Sequence, residues 1–173
     1  MAATARRGPP VPGALDGGLA PTSSGMRLVE FNARFGDPET QSVLARLATP
    51  LGGVLLAAAE GRLADIPPLE WRDDAAVTVV LAAHGYPEDV RGGDPITGTE
   101  DADEVHGAHV LHAGTARDED GALVAAGGRV LSVVGTGATL ADARATAYEA
   151  LDRIGLPGSH HRNDIALAAA ADA

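Results

Sequence analysis

Glu30 and Asn32 are the first residues whose types and spacing point to chemistry. In Arg27-Leu28-Val29-Glu30-Phe31-Asn32, Val29 and Phe31 share one face of an extended chain and Glu30 and Asn32 share the other. That is the period-2 alternation of a strand with one buried face. Side chains at i and i+2 of a strand project in one direction, about 6.5–7 Å apart. A carboxylate and an amide oxygen so placed suit a hard cation such as Mg²⁺, which takes oxygen ligands and keeps waters or phosphates at its other positions. A solvated outer strand face is the alternative reading. Arg34, Asp37 and Glu39 then bring three more charges into a turn before a helix, with Phe35 and Gly36 among them. Helix N-termini attract anions and an Arg there adds a bidentate donor. A capped helix with ordinary surface charges is the alternative here.

Other groups carry weaker signals. His106, His109 and His112 are spaced by three, but on a strand His109 opposes the other two, so they do not converge on a metal. Gly135-Thr136-Gly137 has Leu140 where a dinucleotide fingerprint needs its third glycine, which favours a tight strand-to-helix turn. Ser132 lacks a Gly-x-Ser-x-Gly context. Arg72-Asp73-Asp74 and Glu100 to Glu104 read as solvated loops, and His160-His161 as surface or packing residues.

Composition bounds the partners. Across 173 residues, 13 Lys+Arg against 24 Asp+Glu give a formal charge of −11. This argues against nucleic acid or an anionic membrane as a general partner, because phosphate backbones need clustered cations. There is no cysteine, hence no disulfide framework or thiol nucleophile. No apolar run approaches the length of a membrane span, and no continuous apolar segment follows Arg6 and Arg7 as in a signal peptide. A cytoplasmic protein is expected.

The elements that must hold these residues read as α+β. Residues 1–16 are expected to be a disordered leader, with structure beginning by Met26. After the strand, Asp37 is the expected N-cap, Pro38 the first helical residue and Glu39 a charge matched to the helix dipole. Val43, Leu44 and Leu47 recur at helical spacing, Thr49-Pro50 interrupts, and Leu51, Val54, Leu55 and Ala58 resume until Gly61. From Trp71 the pattern changes to short strands: Ala76 to Ala82, His109 to Thr115, Ala122 to Ala126 and Arg129 to Val134. Asp118-Glu119-Asp120-Gly121 supplies hairpin turn chemistry. A β-meander is the expected arrangement. Near the end, Thr139 and Asp142 form a capping-box pattern before the stripe Leu140, Ala143, Ala147, Leu151 and Ile154, with Gly155 as a left-handed C-cap. The Ala-rich last ten residues are expected to fray.

The string Glu30-Phe31-Asn32-Ala33-Arg34-Phe35-Gly36-Asp37-Pro38-Glu39-Thr40-Gln41 closely resembles the signature of the phosphoribosylamine–glycine ligase family, the glycinamide ribonucleotide synthetases of purine biosynthesis. Gly127-Gly128-Arg129-Val130-Leu131-Ser132-Val133-Val134-Gly135-Thr136-Gly137 is similar to the family's final strand and loop. The helix with Ala143, Arg144, Ala147 and Tyr148 follows, then His161-Arg162-Asn163-Asp164-Ile165. Gly85-Tyr86-Pro87, Gly93-Asp94 and His112-Ala113-Gly114-Thr115 fall in family order, so the resemblance runs from about Gly17 to Ile165.

That resemblance implies the end of an ATP-grasp fold over 17–66, followed over 67–173 by a small β-rich C-terminal domain with one packed helix. The family joins glycine to 5-phosphoribosylamine through glycyl phosphate, with ATP cleaved to ADP and phosphate. It implies magnesium (or manganese) on Glu30 and Asn32 and a catalytic role for Arg34 on phosphate or acyl-phosphate oxygens. Asp37 and Glu39 are then candidates to orient the amine substrates. The implied partners are ATP, glycine and 5-phosphoribosylamine, with no nucleic acid and no membrane. The family's complete enzymes are more than twice as long, and neither a phosphate-gripping Gly-rich loop nor an adenine-pocket segment is found here. The isolated chain is therefore expected to be inactive, or to need a partner chain supplying the front half. The alternative is a non-catalytic truncated remnant or partner-dependent binding domain.

Overall fold

The computed structural model describes residues 13–171, so the expected leader falls outside the described residues as far as residue 12. The chain divides into two compact units. Residues up to Thr40 together with Leu47–Trp71 form the first; Gln41–Arg46 and the residues from Arg72 onward form the second.

In the first unit, strands β1 (Asp16–Thr22) and β2 (Gly25–Asn32) make a two-stranded antiparallel ribbon. Structure thus starts before Met26. The Gly- and Pro-containing segment 16–22 pairs because β2 supplies its hydrogen bonds, with a bulge between Gly18 and Leu19. The expected buried face of β2 is not present: Val29 is 68% and Phe31 65% exposed. Alternation fixes which side chains share a face, but a ribbon of two strands has no layer of its own to cover either face.

Helix α1 (Glu39–Arg46) starts at Glu39, which leaves Pro38, rather than Asp37, just before its first turn. Proline at 50 separates it from α2 (Leu51–Ala59). Gly61 ends α2 with φ +72°. Arg62 N donates to Ala57 O at 2.7 Å and Gly61 N to Ala58 O at 3.2 Å, the paired bonds of a Schellman cap. Beyond α2 the chain returns to Trp71, where Ala48 N donates to Glu70 O (2.9 Å) and Glu70 N to Thr49 Oγ1 (2.7 Å).

The second unit holds the core. Strands β3 (Ala75–Ala82), β4 (Ala108–His112) and β7 (Arg129–Gly137) form one antiparallel sheet in the order β3-β7-β4, and β5 (Thr115–Arg117) pairs with β6 (Leu123–Ala125) in a separate hairpin. The expected meander is thereby corrected. The run His109 to Thr115 is two strands, broken at Ala113-Gly114, and the last strand inserts between the first two of its sheet. Gly114 is required at the break: a Cβ there would lie 2.7 Å from Arg129 O. Central position explains why Val130 to Gly135 of β7 are buried without alternation.

Helix α4 (Leu140–Leu151) lies on the sheet face carrying Val77, Val79, Leu81, Leu131 and Val133. Cross-strand register pairs Val77 with Gly135 and Val79 with Val133. On the opposite face Thr78 Oγ1 meets Ser42 Oγ at 2.7 Å. Gly135 and Gly137 are strand residues, not the turn itself. A Cβ on Gly135 would lie 2.3 Å from Ala143 O and 2.4 Å from Ala147 N, and one on Gly137 would lie 2.7 Å from Ala143 N. Bare backbone on the strand and alanine on the helix let the two pack closely.

The capping box forms at α4: Asp142 N donates to Thr139 Oγ1 and Thr139 N to Asp142 Oδ2, each at 3.1 Å. Thr139→Ala removes the first bond and is expected to destabilise the second unit by about 1 kcal/mol in urea unfolding. Gly155 is not left-handed. The turn after α4 stays right-handed at Asp152, and Gly155 exchanges backbone bonds with Thr97, whose Oγ1 would sit 2.5 Å from a Cβ at 155. Close approach, not φ, is what requires glycine there.

Two segments expected to lack structure are helical. Thr99–Asp103 forms α3, with Gly98 at φ +75° before it, acids in its first turn and Ala102 fully buried. Acidic residues favour a helix N-terminus, and one buried alanine anchors it. Leu167–Ala171 forms α5, so the described part of the last ten residues is held rather than frayed. Arg144 ties down the segment just ahead of α5: its Nε donates to Ile165 O (3.0 Å) and its Nη2 to Asn163 O (2.5 Å), and its guanidinium lies over the Tyr148 ring at 4.5 Å. Tyr148 Oη donates to Arg162 O at 2.5 Å.

In the same segment Arg162 grips Asp164 through two bonds of 2.8 and 2.5 Å. This hydrogen bonding holds the Asp164 carboxyl below its ordinary 3.8. A depressed carboxyl contributes stability above its unfolded value and loses it as pH falls through the folded one; both side chains are exposed, so the contribution is small. Carboxyl-carbon NMR titration should place the Asp164 midpoint below 3.8, and Arg162→Ala should return it to the ordinary value.

Candidate functional site

Strand β2 places Glu30 and Asn32 on one face, and their side chains meet: Asn32 Nδ2 donates to Glu30 Oε1 at 3.1 Å. A second carboxylate joins them from β1. Asp16 is the cross-strand partner of Asn32, and Asn32 Nδ2 lies 3.4 Å from Asp16 Oδ2. Gly18, opposite Glu30, leaves room for it; a Cβ there would stand 3.4 Å from Glu30 Cγ. Glu39 closes the same region. Gly36 is buried, and a Cβ on it would lie 2.6 Å from Glu39 Oε2 and 3.4 Å from Asp16 Oδ2, so the two carboxylates border one small space.

Of the sequence-predicted residues, Glu30, Asn32 and Glu39 therefore gather around Asp16. Arg34 Nη1 donates to the Phe35 carbonyl at 2.8 Å rather than to any of these side chains. Asp37 is half-buried ahead of α1. Asp16 is the residue that sequence reasoning missed. Its only signal is the register of the ribbon, which the bulge at Gly18 and Leu19 hides from simple counting.

The donor set has the character of a hard-cation site: carboxylate and amide oxygens, open to solvent on β2, with no ion pair to Asp16, Glu30 or Glu39 among the described residues. Like charges left unpaired favour an incoming cation. No group of three or more His, Cys, Asp and Glu side chains among the described residues is arranged to hold a metal ion by itself. What the ribbon offers is part of a shell. His109 and His112 lie on opposite faces of β4, His109 facing Asp103 at 3.8 Å and His112 bonding Thr115 at 3.2 Å. A cleft of about 400 Å³ in the first unit is lined by Thr49, Pro50, Val54, Ile66, Pro67 and Glu70, none of them a predicted site residue.

Comparison with known proteins decides the family. The family model described as phosphoribosylglycinamide synthetase, C domain, matches residues 76–168. The chain belongs to this family. Among curated relatives, the phosphoribosylamine–glycine ligase of Streptomyces coelicolor is 63% identical over 167 residues, covering 95% of this chain and 40% of that protein. The Mycobacterium tuberculosis protein of the same name is 59% identical over 165 residues, covering 95% and 38%. The crystal structure of phosphoribosylamine–glycine ligase from Thermotoga maritima superposes with a TM-score of 0.74 at 36% identity, covering 87% of this chain and 36% of that one. The chain thus spans about two fifths of the length of the ligases it matches. The family model covers α4 and the three-stranded sheet, whereas the Glu30 strand lies ahead of it and is matched through the relatives.

Proposed function

We propose that the chain is the back part of a phosphoribosylamine–glycine ligase, with 17–66 ending an ATP-grasp fold and 67–173 forming the C-terminal domain. The reaction is the ATP-dependent joining of glycine to 5-phosphoribosylamine through glycyl phosphate, in the cytoplasm, as a step of purine biosynthesis. The observation that carries this reading is the meeting of Glu30 and Asn32 on one strand face, 3.1 Å apart and without a neutralising cation among the described residues. Relatives that are 63% identical bear the ligase name.

In this reading Glu30 and Asn32 hold Mg²⁺ or Mn²⁺, which when bound neutralises charge on the nucleotide phosphates and the phosphoryl group in transfer. Glu30 supplies the anionic ligand and Asn32 a neutral oxygen. Arg34 has donors beyond the one spent on Phe35 O, and these reach phosphate or acyl-phosphate oxygens. Asp37 and Glu39 orient the amines. The net charge of −11 argues against nucleic acid as a general partner. No helix among the described residues is long and apolar enough to cross a membrane.

A second reading, a non-catalytic or partner-dependent binding domain, draws on the open apolar ribbon: Met26 is 63%, Leu28 52%, Val29 68% and Phe31 65% exposed. Apolar surface of this kind fits burial by another segment, which in the ligase reading is the front part of the enzyme. One assay separates the two. ADP release is measured with ATP, Mg²⁺, glycine and freshly generated 5-phosphoribosylamine, for the chain alone and with the N-terminal part of the Streptomyces coelicolor ligase added. Release confined to the mixture, and dependent on both amines, supports the ligase reading. Silence of the mixture leaves the binding-domain reading.

A further inference from the structure

The Asn32 amide nitrogen is flanked by carboxylates on both sides, Glu30 Oε1 at 3.1 Å along its own strand and Asp16 Oδ2 at 3.4 Å across the ladder. Carboxylates only accept, so both contacts require the NH₂ end of the amide and fix which end is nitrogen. We propose that Asp16 is a positioning residue, whose acceptor oxygen orients Asn32 so that the amide oxygen is the end offered to a divalent cation. The inference rests on the metal reading of Glu30 and Asn32.

The reasoning follows from what a cation would displace. Once Glu30 gives its oxygen to a cation, its contact with the Asn32 amide is no longer available to hold that side chain. Asp16 remains. It is anchored as the ladder partner of Asn32 and has no ion pair among the described residues to draw it away. An amide without such an acceptor presents either end to the cation, and only one end is a ligand.

A double-substitution cycle read by Mn²⁺ electron paramagnetic resonance on the full chain tests this, with Mn²⁺ alone as probe. Asp16→Ala is expected to weaken Mn²⁺ binding about 10-fold, the lower end of what orienting partners contribute. Asp16→Asn, which keeps a carbonyl acceptor, should restore most of that loss. In the Asn32→Asp background, where the ligand has no N–H to orient, Asp16→Ala should produce no loss. Equal losses from Asp16→Ala in both backgrounds would make Asp16 a direct ligand or a bulk charge and overturn the positioning role. Asp16→Asn as damaging as Asp16→Ala would do the same. Parent chain that binds no Mn²⁺ would remove the metal reading itself, and the positioning role with it. Parent binding that is insensitive to Asp16→Ala would remove only the latter.

Discussion

Gly135→Ala is expected to lower the stability of the second unit by about 3 kcal/mol, the upper range for forcing an atom into a packed core. Ordinarily a glycine-to-alanine change in a strand is favourable, by about 0.4–1 kcal/mol through the unfolded chain. Here the added Cβ would stand 2.3 Å from Ala143 O and 2.4 Å from Ala147 N. Those are backbone atoms of a helix whose Ala143 and Ala147 are fully buried, so relief means lifting α4 from the sheet. Steric loss exceeds the entropic gain. Gly52→Ala is the contrast: it sits in α2 with nothing within 4 Å of its would-be Cβ, and should stabilise by about 0.5–1 kcal/mol. Urea unfolding followed by circular dichroism distinguishes the two, and a Gly135→Ala midpoint equal to the parent's would refute the close-packing argument.

Glu30→Ala is expected to weaken Mn²⁺ binding by the chain at least about 100-fold, more than the loss of an orienting partner. Glu30 is the anionic member of the pair on β2, and Asn32 alone offers one neutral oxygen. Asp16 and Glu39 keep their charge in the variant, so a site held together merely by acidity would lose far less. The size of the loss therefore separates direct coordination from general attraction by a chain of charge −11. A loss below about 10-fold, smaller than even an orienting partner contributes, would remove Glu30 from the coordination shell.

Local features were legible in the sequence, and pairings between distant segments were not. The shared face of Glu30 and Asn32 follows from two-residue periodicity alone, as does the capping box of Thr139 and Asp142 from residue types at fixed offsets. Asp16 stood outside that reach, because its approach to Asn32 depends on strand register across a bulge. Each long strand of the second unit announced itself by β-branched residues, yet the order β3-β7-β4 does not follow sequence neighbourhood. Gly135 and Gly137 looked like turn residues because glycine serves turns and close contacts alike. Only the position of α4 tells them apart. Thr99–Asp103 was hidden by its charges, its helix resting on one buried alanine.

The most direct measurement joins this chain to the N-terminal part of the Streptomyces coelicolor ligase, in place of the C-terminal part it matches. Glycine- and phosphoribosylamine-dependent ADP release is then compared between parent and Glu30→Ala at saturating Mg²⁺. A parent that turns over and a variant slowed at least about 100-fold, the scale of losing one electrostatic stabiliser of the transferring group, is the expected result. Equal turnover in the two would contradict a cation-holding role for Glu30, and with it the placement of the reaction's phosphate chemistry on this ribbon.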